Sequence, residues 1–352
     1  MKKIVLLLMC LLALSPLQAQ EKVNKVTEFV NSLNDHFTFS AYGLAGWQYQ
    51  EQHSPTNEFF INKVVLMCNV KITPRLNAFL MFNAYKSSML EYWASYRFAP
   101  AATVKLGQFK VPFSMENPIS PTKLERIDEN GLVTRYMIMG LNPLMMPGSG
   151  GRDMGITVFG DLFNGKLAYD LAVMNGVGRN CGDINSAKEY MVRLSVNPVK
   201  EFTIGVSALL GTGNVAASQR LDGSYYSESY PEVDGIRSNG DFRRNRFAGG
   251  FALTTQPFTL RSEYMLGRDG KNNSQGVYAT AAVKNLGVDG LDVVGSFDYL
   301  EPAFGSKTTA YYAGVNYWFY PRCRVMAGYE YTKQHGTSRG ENSVLTQLQI
   351  AF

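Results

Sequence analysis

Apolar and polar residues alternate along most of this chain, from Phe37 to the C-terminus. Stretches of about ten residues with a period of two are separated by turn residues, a pattern typical of β-strands with one apolar and one polar face. In one such stretch Leu167, Tyr169 and Leu171 share one face, whereas Asp170 lies on the other. The same alternation returns in residues 189–196, 258–266, 291–299 and 311–319. We therefore predict an all-β chain from residue 37 onward.

The connections between these stretches alternate between short and long. The short ones contain turn-forming residues at Thr73-Pro74, Ala99-Pro100, Asn164-Gly165, Asn197-Pro198, Gln256-Pro257, Gly287–Gly290 and Tyr320-Pro321. The longer ones lie near residues 50–58, 86–89, 110–151, 175–187, 211–242, 267–276, 300–308 and 332–343. Seven short and eight long connections separate sixteen strands. An even number of strands with both termini on the short-turn side is typical of bacterial outer-membrane barrels.

Composition favours a barrel that faces a bilayer over a bundle of membrane helices. The chain contains 20 Tyr and 21 Phe, many of them at the ends of predicted strands, as expected of the aromatic girdles at two membrane interfaces. Beyond the N-terminus, no uncharged apolar run reaches the roughly 18 residues that a spanning helix needs. We predict a transmembrane β-barrel over residues 37–352. A secreted β-sandwich and a barrel of another size are the alternatives, because their strands also alternate.

Both ends of the chain predict export to the outer membrane of a Gram-negative bacterium. Residues 1–19 combine Lys2 and Lys3 with an apolar stretch and a cleavage region ending at Ala19, the pattern of a signal peptide. Residues 20–36 follow as a periplasmic N-terminal lead-in with the spacing of a short amphipathic helix. The chain ends in apolar residues that alternate back from Phe352, which resembles the C-terminal signature read by the barrel assembly machinery. This machinery and outer-membrane lipid are therefore expected partners.

The sequence offers little for an enzyme, a metal site or a nucleic-acid interface. The histidines His36, His53 and His335 lie far apart, and residues 148–151 do not form the Gly-x-Ser-x-Gly nucleophile motif. Wide cysteine spacing argues against a zinc site and a disulfide framework. A formal net charge of +5 is too weak and dispersed for nucleic acid. We predict no catalysis and no cofactor; an outer-membrane hydrolase with His53 at the rim is the remote alternative.

The longest connection, residues 110–151, points to a function. Roughly 40 residues without clear secondary structure are unusual unless the segment has a task. By count this is the third extracellular loop, between the fifth and sixth strands. The lumen of a sixteen-stranded barrel is wide enough for water, so a loop folded inward sets the size of the pore. The predicted fold is thus an all-β, 16-stranded antiparallel transmembrane β-barrel with an inward-folded third extracellular loop.

Two blocks of sequence resemble a known family. Residues 107–116 (GQFKVPFSME) resemble the Gly-Gln-Phe-Lys-x-Pro-Phe-x-x-Glu segment of the phosphate-selective porin O and P family. Residues 151–155 (GRDMG), 162–169 (LFNGKLAY) and 175–180 (NGVGRN) resemble that family's Arg-Asp-x-Gly strand and Asn-Gly-x-Gly-x-Asn loop. The resemblance implies a sixteen-stranded porin, often trimeric, that passes anions and in some members favours phosphate. One departure is that the second strand, residues 60–66, carries only Lys63 where that family is arginine-rich.

Fixed positive charge in a water-filled pore raises the local concentration of anions. The candidate residues of the constriction and anion site are Lys110, Glu116, Lys123, Arg126 and Arg135. The candidate pore-lining basic residues are Lys63, Arg97, Lys105, Arg193, Arg244, Arg246, Arg261 and Arg324. Among these, Arg244 and Arg246 have the fewest acidic residues nearby in sequence, so we expect them to be the least neutralised. The alternative is that basic and acidic residues of the polar faces form salt bridges that stiffen the wall.

We predict a passive porin for small anions, including phosphate, that assembles as a homotrimer. A general or neutral-solute (sugar) porin is the alternative, because sugar channels use aromatic side chains beside polar ones. Such a track would consist of Tyr85, Trp93, Tyr312 and Trp318 if they point inward; otherwise they belong to the aromatic girdles.

Overall fold

The computed structural model describes residues 36–127, 130–142, 144–145, 149–215, 235 and 240–352. Sixteen antiparallel strands form a closed barrel. Their bounds are β1 Phe37–Gln50, β2 Asn57–Lys71, β3 Leu76–Asn83, β4 Ser88–Ala99, β5 Ala102–Lys110, β6 Arg152–Leu162, β7 Leu167–Met174, β8 Glu189–Val199, β9 Phe202–Asn214, β10 Asp241–Thr254, β11 Phe258–Asp269, β12 Asn272–Val283, β13 Leu291–Glu301, β14 Thr308–Tyr320, β15 Cys323–Gln334 and β16 Glu341–Ala351. A short helix, α1 (Leu132–Ile138), lies between β5 and β6. The predicted all-β, sixteen-stranded barrel is confirmed.

Some sequence predictions lie outside the described residues. These are the signal peptide over residues 1–19, nearly all of the lead-in over residues 20–36, and most of the connection over residues 211–242. Within the described part of the chain, no helix is long and apolar enough to cross a membrane.

The barrel closes between its first and last strands. Tyr42 of β1 lies opposite Ala351 of β16, and the pairing continues to Gln50 and Ser343. Beyond this ladder, the backbone N–H and C=O groups of Ala41 and Phe352 exchange hydrogen bonds of 3.1 and 3.0 Å. Because every strand has two neighbours, the sheet has no free edge.

The two faces of the wall are reversed relative to a soluble protein. On β11, Tyr264 and Leu266 are 47% and 44% exposed, whereas Arg261 and Glu263 are 8% and 2% exposed. The strand register carries the same division from β10 to β14. We call the side that carries Arg261 and Glu263 the polar face and the opposite side the apolar face. An exposed apolar face is what a wall in contact with lipid requires.

The connections also follow the predicted order, with two corrections. The short turns lie at the end of the barrel where even-numbered strands finish, but Asn197 and Pro198 belong to β8, and the turn that follows this strand consists of Lys200 and Glu201. The expected long loop over residues 267–276 is wrong: β11 runs to Asp269 and β12 begins at Asn272, which leaves a turn of Gly270 and Lys271. The pairing of Asp269 with Asn272 extends both strands, and Gly270 takes the positive φ of 62° that such a tight turn favours.

Candidate functional site

The connection between β5 and β6, residues 111–151, packs against the polar face over much of the barrel; we call it the β5–β6 loop. It first meets the wall midway along the strands. The backbone N–H of Ser114 donates to Oγ of Ser207 on β9 (2.9 Å), and Oγ of Ser114 donates to Glu263 on β11 (2.7 Å). The backbone N–H of Met115 donates to the same carboxylate (2.9 Å). These bonds fix the first part of the loop, which runs toward the short-turn end of the barrel.

The loop then reaches the short-turn end of the barrel. The backbone oxygen of Leu124 accepts a hydrogen bond from Arg324 (2.7 Å), the second residue of β15. The backbone oxygen of Thr122 accepts one from Gln349 (3.2 Å), near the end of β16. The loop therefore follows the wall along most of its height instead of resting at the rim.

The returning segment is held by a buried arginine. Arg126 donates to Asp298 of β13 (2.9 Å) and to Glu330 of β15, and both Arg126 and Asp298 are almost completely buried. Oδ1 of Asp298 also accepts from the backbone N–H of Val133 in the first turn of α1 (3.2 Å). Within the loop, Glu116 accepts from the backbone N–H of Gly131 (3.1 Å). The carboxylate of Asp298 thus fixes both Arg126 and the start of the helix.

Helix α1 brings the loop back to the long-loop end, against β11, β12 and β13. The backbone oxygen of Met137 accepts from Arg246 (3.1 Å), and Asn142 donates to Asp269 (2.9 Å). The phenol oxygen of Tyr136 accepts from the backbone N–H of Ala303 (2.8 Å). Burial raises the pKa of Tyr136 to about 12, so this phenol stays neutral at physiological pH. Val133 and Met137 of α1 belong to a buried apolar cluster formed by the loop and the wall.

The prediction that Arg244 and Arg246 are the least neutralised basic residues is wrong. Both are completely buried: Arg244 pairs with Glu189 (2.8 Å) and Arg246 pairs with Asp269 (2.8 Å). Both arginines lie on β10. Asp269 lies on the adjacent strand β11, and Glu189 lies on β8, which β9 separates from β10. Sequence distance hides such partners, because antiparallel pairing brings residues together that are tens of positions apart.

Other predicted basic residues are also paired, half-buried or placed at the ends of strands. Arg261 pairs with Glu125 (2.9 Å) and approaches Glu116 at 3.4 Å. Arg193 pairs with Asp170 on the neighbouring strand (2.7 Å). Lys63 is half-buried in β2, Arg97 is exposed near the end of β4, and Arg135 is half-buried in α1.

Three predicted residues bind groups other than carboxylates. Nζ of Lys110 donates to the backbone oxygens of Asn117 (2.7 Å) and Ile119 (2.6 Å). Arg324 donates to Gln349 (3.1 Å) and lies over the ring of Trp318 at 4.6 Å. Lys105 lies among aromatic rings, the nearest being Phe109 at 4.2 Å.

Lys123 is exposed on the loop. The structure thus brings Glu116 and Arg126 of the loop together with the wall, but it does not gather all the predicted basic residues into one site.

The two blocks that resemble the family contain residues whose structural role was not predicted from the sequence. The carboxylate of Asp153 accepts hydrogen bonds from the backbone N–H groups of Gly176 (2.6 Å) and Gly178 (3.1 Å). Oε1 of Gln108 accepts from the backbone N–H of Asn180 (2.6 Å). The motif segments are therefore in contact and hold the two ends of the β5–β6 loop beside the β7–β8 connection. The resemblance of residues 107–116, 151–155 and 175–180 to the family's motifs was the available signal.

The loop carboxyl of Glu125 has a lowered pKa. Burial, the largest single influence, raises this pKa, but the charge and hydrogen bonds of Arg261, a backbone hydrogen bond and the charge of Lys284 together lower it by more, to below its ordinary 4.5. A carboxyl whose pKa is lower in the folded state contributes stability above its unfolded pKa, and this contribution is lost as the pH falls through the folded pKa.

We expect the melting temperature to change little through this pair between pH 7 and pH 5 and to fall below about pH 4.5. The variant Glu125→Gln lacks the titrating group and should show a smaller fall. Thermal unfolding in detergent at a series of pH values measures both. Equal acid sensitivity of the two proteins would contradict the assignment.

Comparison with known proteins agrees with this architecture. The family model described as phosphate-selective porin O and P matches residues 77–352. Among curated protein sequences, none matches the chain.

Solved structures resemble the fold at low sequence identity. An anion-selective porin from Comamonas acidovorans is 11% identical with a TM-score of 0.63, and the match covers 90% of this chain and 99% of that one. OmpT, an outer membrane protein of Vibrio cholerae in its trimer form, is 9% identical with a TM-score of 0.63 and the same coverage. OmpF of Salmonella typhi, in complex with daunomycin, is 13% identical with a TM-score of 0.59, again over 90% and 99%. The family match spans most of the barrel, and the chain therefore belongs to the phosphate-selective porin O and P family.

Proposed function

We propose that this outer-membrane porin is a passive diffusion channel for small anions, including phosphate, and that the β5–β6 loop lies inside the barrel and narrows it. The observation that carries the proposal is the set of hydrogen bonds between this loop and the polar face. They involve strands on half of the circumference, from β9 to β16. A single segment reaches strands so far apart most directly from the concave side of a closed wall.

The charges that remain beside the loop favour anions. The half-buried carboxylates of Glu91 and Asp170 are each paired with an arginine, at 3.0 and 2.7 Å. In contrast, Lys105 and Lys123 make no ion pair with a described residue, and Lys123 is exposed. Because paired charges largely cancel, these two ammonium groups add positive charge to the channel.

We expect the zero-current potential of single channels under a salt gradient to have the sign of anion selectivity. The double variant Lys105→Gln and Lys123→Gln should move this potential toward zero, since it removes two positive charges from the channel. Planar bilayers with purified protein give the measurement. Lys200→Gln is the matched control, because Lys200 lies in the β8–β9 turn and is almost fully exposed.

A wild-type potential of zero or of cationic sign would overturn the anion preference. The chain would then be a general or neutral-solute porin.

One observation favours the neutral-solute alternative. Trp93 lies in register with Phe79 on the polar face, and the two rings stack at 5.2 Å. The other aromatic candidates are less suitable: Tyr85 is exposed in the β3–β4 connection, Tyr312 is buried, and Trp318 donates to Asp292 (2.8 Å). Concentration-dependent block of the current by a neutral sugar, with no anion preference, would support this alternative.

We extend the proposal to export, assembly and oligomeric state. Residues 1–19 serve as the cleaved signal peptide, and Phe352, whose backbone closes the barrel against Ala41, is recognised by the barrel assembly machinery in the lipid of the outer membrane. The trimer form of the structurally similar Vibrio cholerae protein supports a homotrimer. Chemical cross-linking of the purified protein in detergent tests the oligomeric state.

The remote hydrolase alternative has little support. His53 contacts Glu341 (3.1 Å) on the exposed long-loop side, and its described hydrogen bonds include no serine hydroxyl.

A further inference from the structure

Three aromatic rings surround a lysine on the wall formed by β3 to β6, and a fourth ring extends the group. Nζ of Lys105 lies 4.2 Å from the ring centre of Phe109, 5.3 Å from that of Phe159 and 5.4 Å from that of Trp93. Phe79 extends the group by stacking on Trp93, with 28° between the ring planes. We call Phe79, Trp93, Lys105, Phe109 and Phe159 the aromatic strip.

Strand register places the aromatic strip on the polar face. Phe79 of β3 lies opposite Trp93 of β4, which lies opposite Gly107 of β5. Lys105 and Phe109 are each two residues from Gly107, so their side chains share its face. Gly107 itself has a positive φ, and a Cβ there would lie 2.2 Å from the backbone oxygen of Tyr92. This close approach requires glycine and brings β4 and β5 together under the strip.

Phe159 of β6 joins the same face. It lies opposite Thr103 of β5, two residues from Lys105, and on its other side opposite Asp170 of β7. Phe79, Trp93, Lys105 and Phe159 are half-buried, whereas Phe109 is 1% exposed. The strip therefore keeps open ring surface beside the ammonium group.

Lys105 differs from the paired arginines of the loop and of the polar face. Arg126, Arg244, Arg246 and Arg261 all bind carboxylates. Lys105 makes no hydrogen bond or ion pair with a described residue, although an ammonium group has three donors. Rings stabilise the cation through their negative faces, but they leave the three donors without acceptors. The geometry therefore leaves room for an external acceptor.

We propose that the aromatic strip binds organic anions that carry a flat ring next to the charged group. The ring of the solute stacks on Trp93 and Phe79, and its phosphate or carboxylate group accepts hydrogen bonds from Lys105. This inference rests on the proposed channel function and specifies which anions the channel holds during passage. Inorganic phosphate meets the ammonium group alone, whereas an aromatic phosphate also gains the stacking contact.

The test compares three probes in single-channel recordings. Phenyl phosphate carries both groups, inorganic phosphate carries only the charge, and benzyl alcohol carries only the ring. Phenyl phosphate should block half of the wild-type current at a concentration about five-fold lower than inorganic phosphate, because of the stacking contact. Benzyl alcohol should block least. Each block is expressed relative to the open-channel current of the same variant.

Variants separate the ring from the charge. Trp93→Leu should abolish the five-fold difference while inorganic phosphate still blocks, and Phe79→Leu should reduce it, which keeps the test available if one variant fails to fold. Lys105→Gln should weaken the block by both phosphates. Trp318→Leu is the matched control. Trp318 also contacts a cationic side chain, that of Arg324, but it lies on β14 and outside the aromatic strip, so this substitution should leave the five-fold difference unchanged.

The two proposals fail in different ways. Equal block by phenyl phosphate and inorganic phosphate in channels with anionic selectivity would overturn the aromatic strip and leave the anion channel in place. Block by benzyl alcohol as strong as that by phenyl phosphate would also overturn it, since Lys105 would then contribute nothing. A cationic zero-current potential overturns the proposed function by a separate measurement.

Discussion

Replacing Arg126 with methionine should detach the β5–β6 loop from the wall and increase the single-channel conductance. The substitution leaves the carboxylates of Asp298 and Glu330 without the arginine to which both are bound. Breaking a buried ion pair in this way costs about 3–5 kcal/mol, because an uncompensated charge stays buried. Asp298 also caps the first turn of α1 through Val133, so its displacement should loosen the returning half of the loop. Planar-bilayer conductance and the free energy of unfolding in detergent measure the two effects.

Arg193→Met provides the matched control for this prediction. Arg193 pairs with Asp170 on the adjacent strand, but both side chains are partly exposed, at 25% and 18%. Partly exposed pairs contribute about 0–1 kcal/mol, so the control should change unfolding little. If Arg126→Met and Arg193→Met had the same small effect on stability and conductance, the ion pairs of Arg126 with Asp298 and Glu330 would not be what holds the loop.

Replacing Asp153 with alanine should destabilise the barrel where β6 contacts the β7–β8 connection. Its carboxylate accepts hydrogen bonds from the backbone N–H groups of Met154 (2.8 Å), Gly176 (2.6 Å) and Gly178 (3.1 Å), and the residue is completely buried. Each buried donor left without an acceptor costs about 1–3 kcal/mol. We therefore expect a loss of several kcal/mol, on the order of 3–6 kcal/mol if water replaces part of the acceptor. Unfolding in urea, followed by the change in gel mobility of the folded barrel, gives the value.

The control for Asp153→Ala lies on the same strand. Asp161 is exposed near the short-turn end of β6, and Asp161→Ala should shift the unfolding midpoint little. Proteolysis adds a second readout, since loss of the Asp153 contacts should expose the β7–β8 connection to cleavage. Equal midpoints for the two variants, with no new cleavage in residues 175–188, would contradict the role given to Asp153.

The strands and their faces follow from the sequence alone. A period of two places Arg261, Glu263 and Asp298 on one face and Tyr264 and Leu266 on the other, because successive side chains of a strand point to opposite sides. The structure has the same division. Turn residues mark the short connections for an equally local reason, since proline, glycine and asparagine favour the backbone angles of tight turns. Where the sequence prediction was wrong, at residues 267–276, polar residues continued a strand that was longer than expected.

The motifs were recognisable from sequence, but their physical role was not. The segments that contain Gln108, Asp153 and Asn180 resemble the family to which the chain belongs. Only the folded chain shows that Gln108 binds the backbone of Asn180 and that Asp153 binds Gly176 and Gly178. Residues 72 positions apart meet here, and no local pattern encodes that distance.

The sequence by itself determined the number of strands, the order of their connections, the two faces of the wall and the segment that forms the long β5–β6 loop. All of these depend on interactions between residues close in the chain. Only the tertiary structure decided which charges are neutralised and which are not. Arg246 pairs with Asp269 on the adjacent strand and Arg244 pairs with Glu189 two strands away, whereas Lys105 lies against aromatic rings and forms no ion pair with a described residue. Charge pairing depends on strand register and on the contacts of the loop with the wall, and both are set by the closure of the whole sheet.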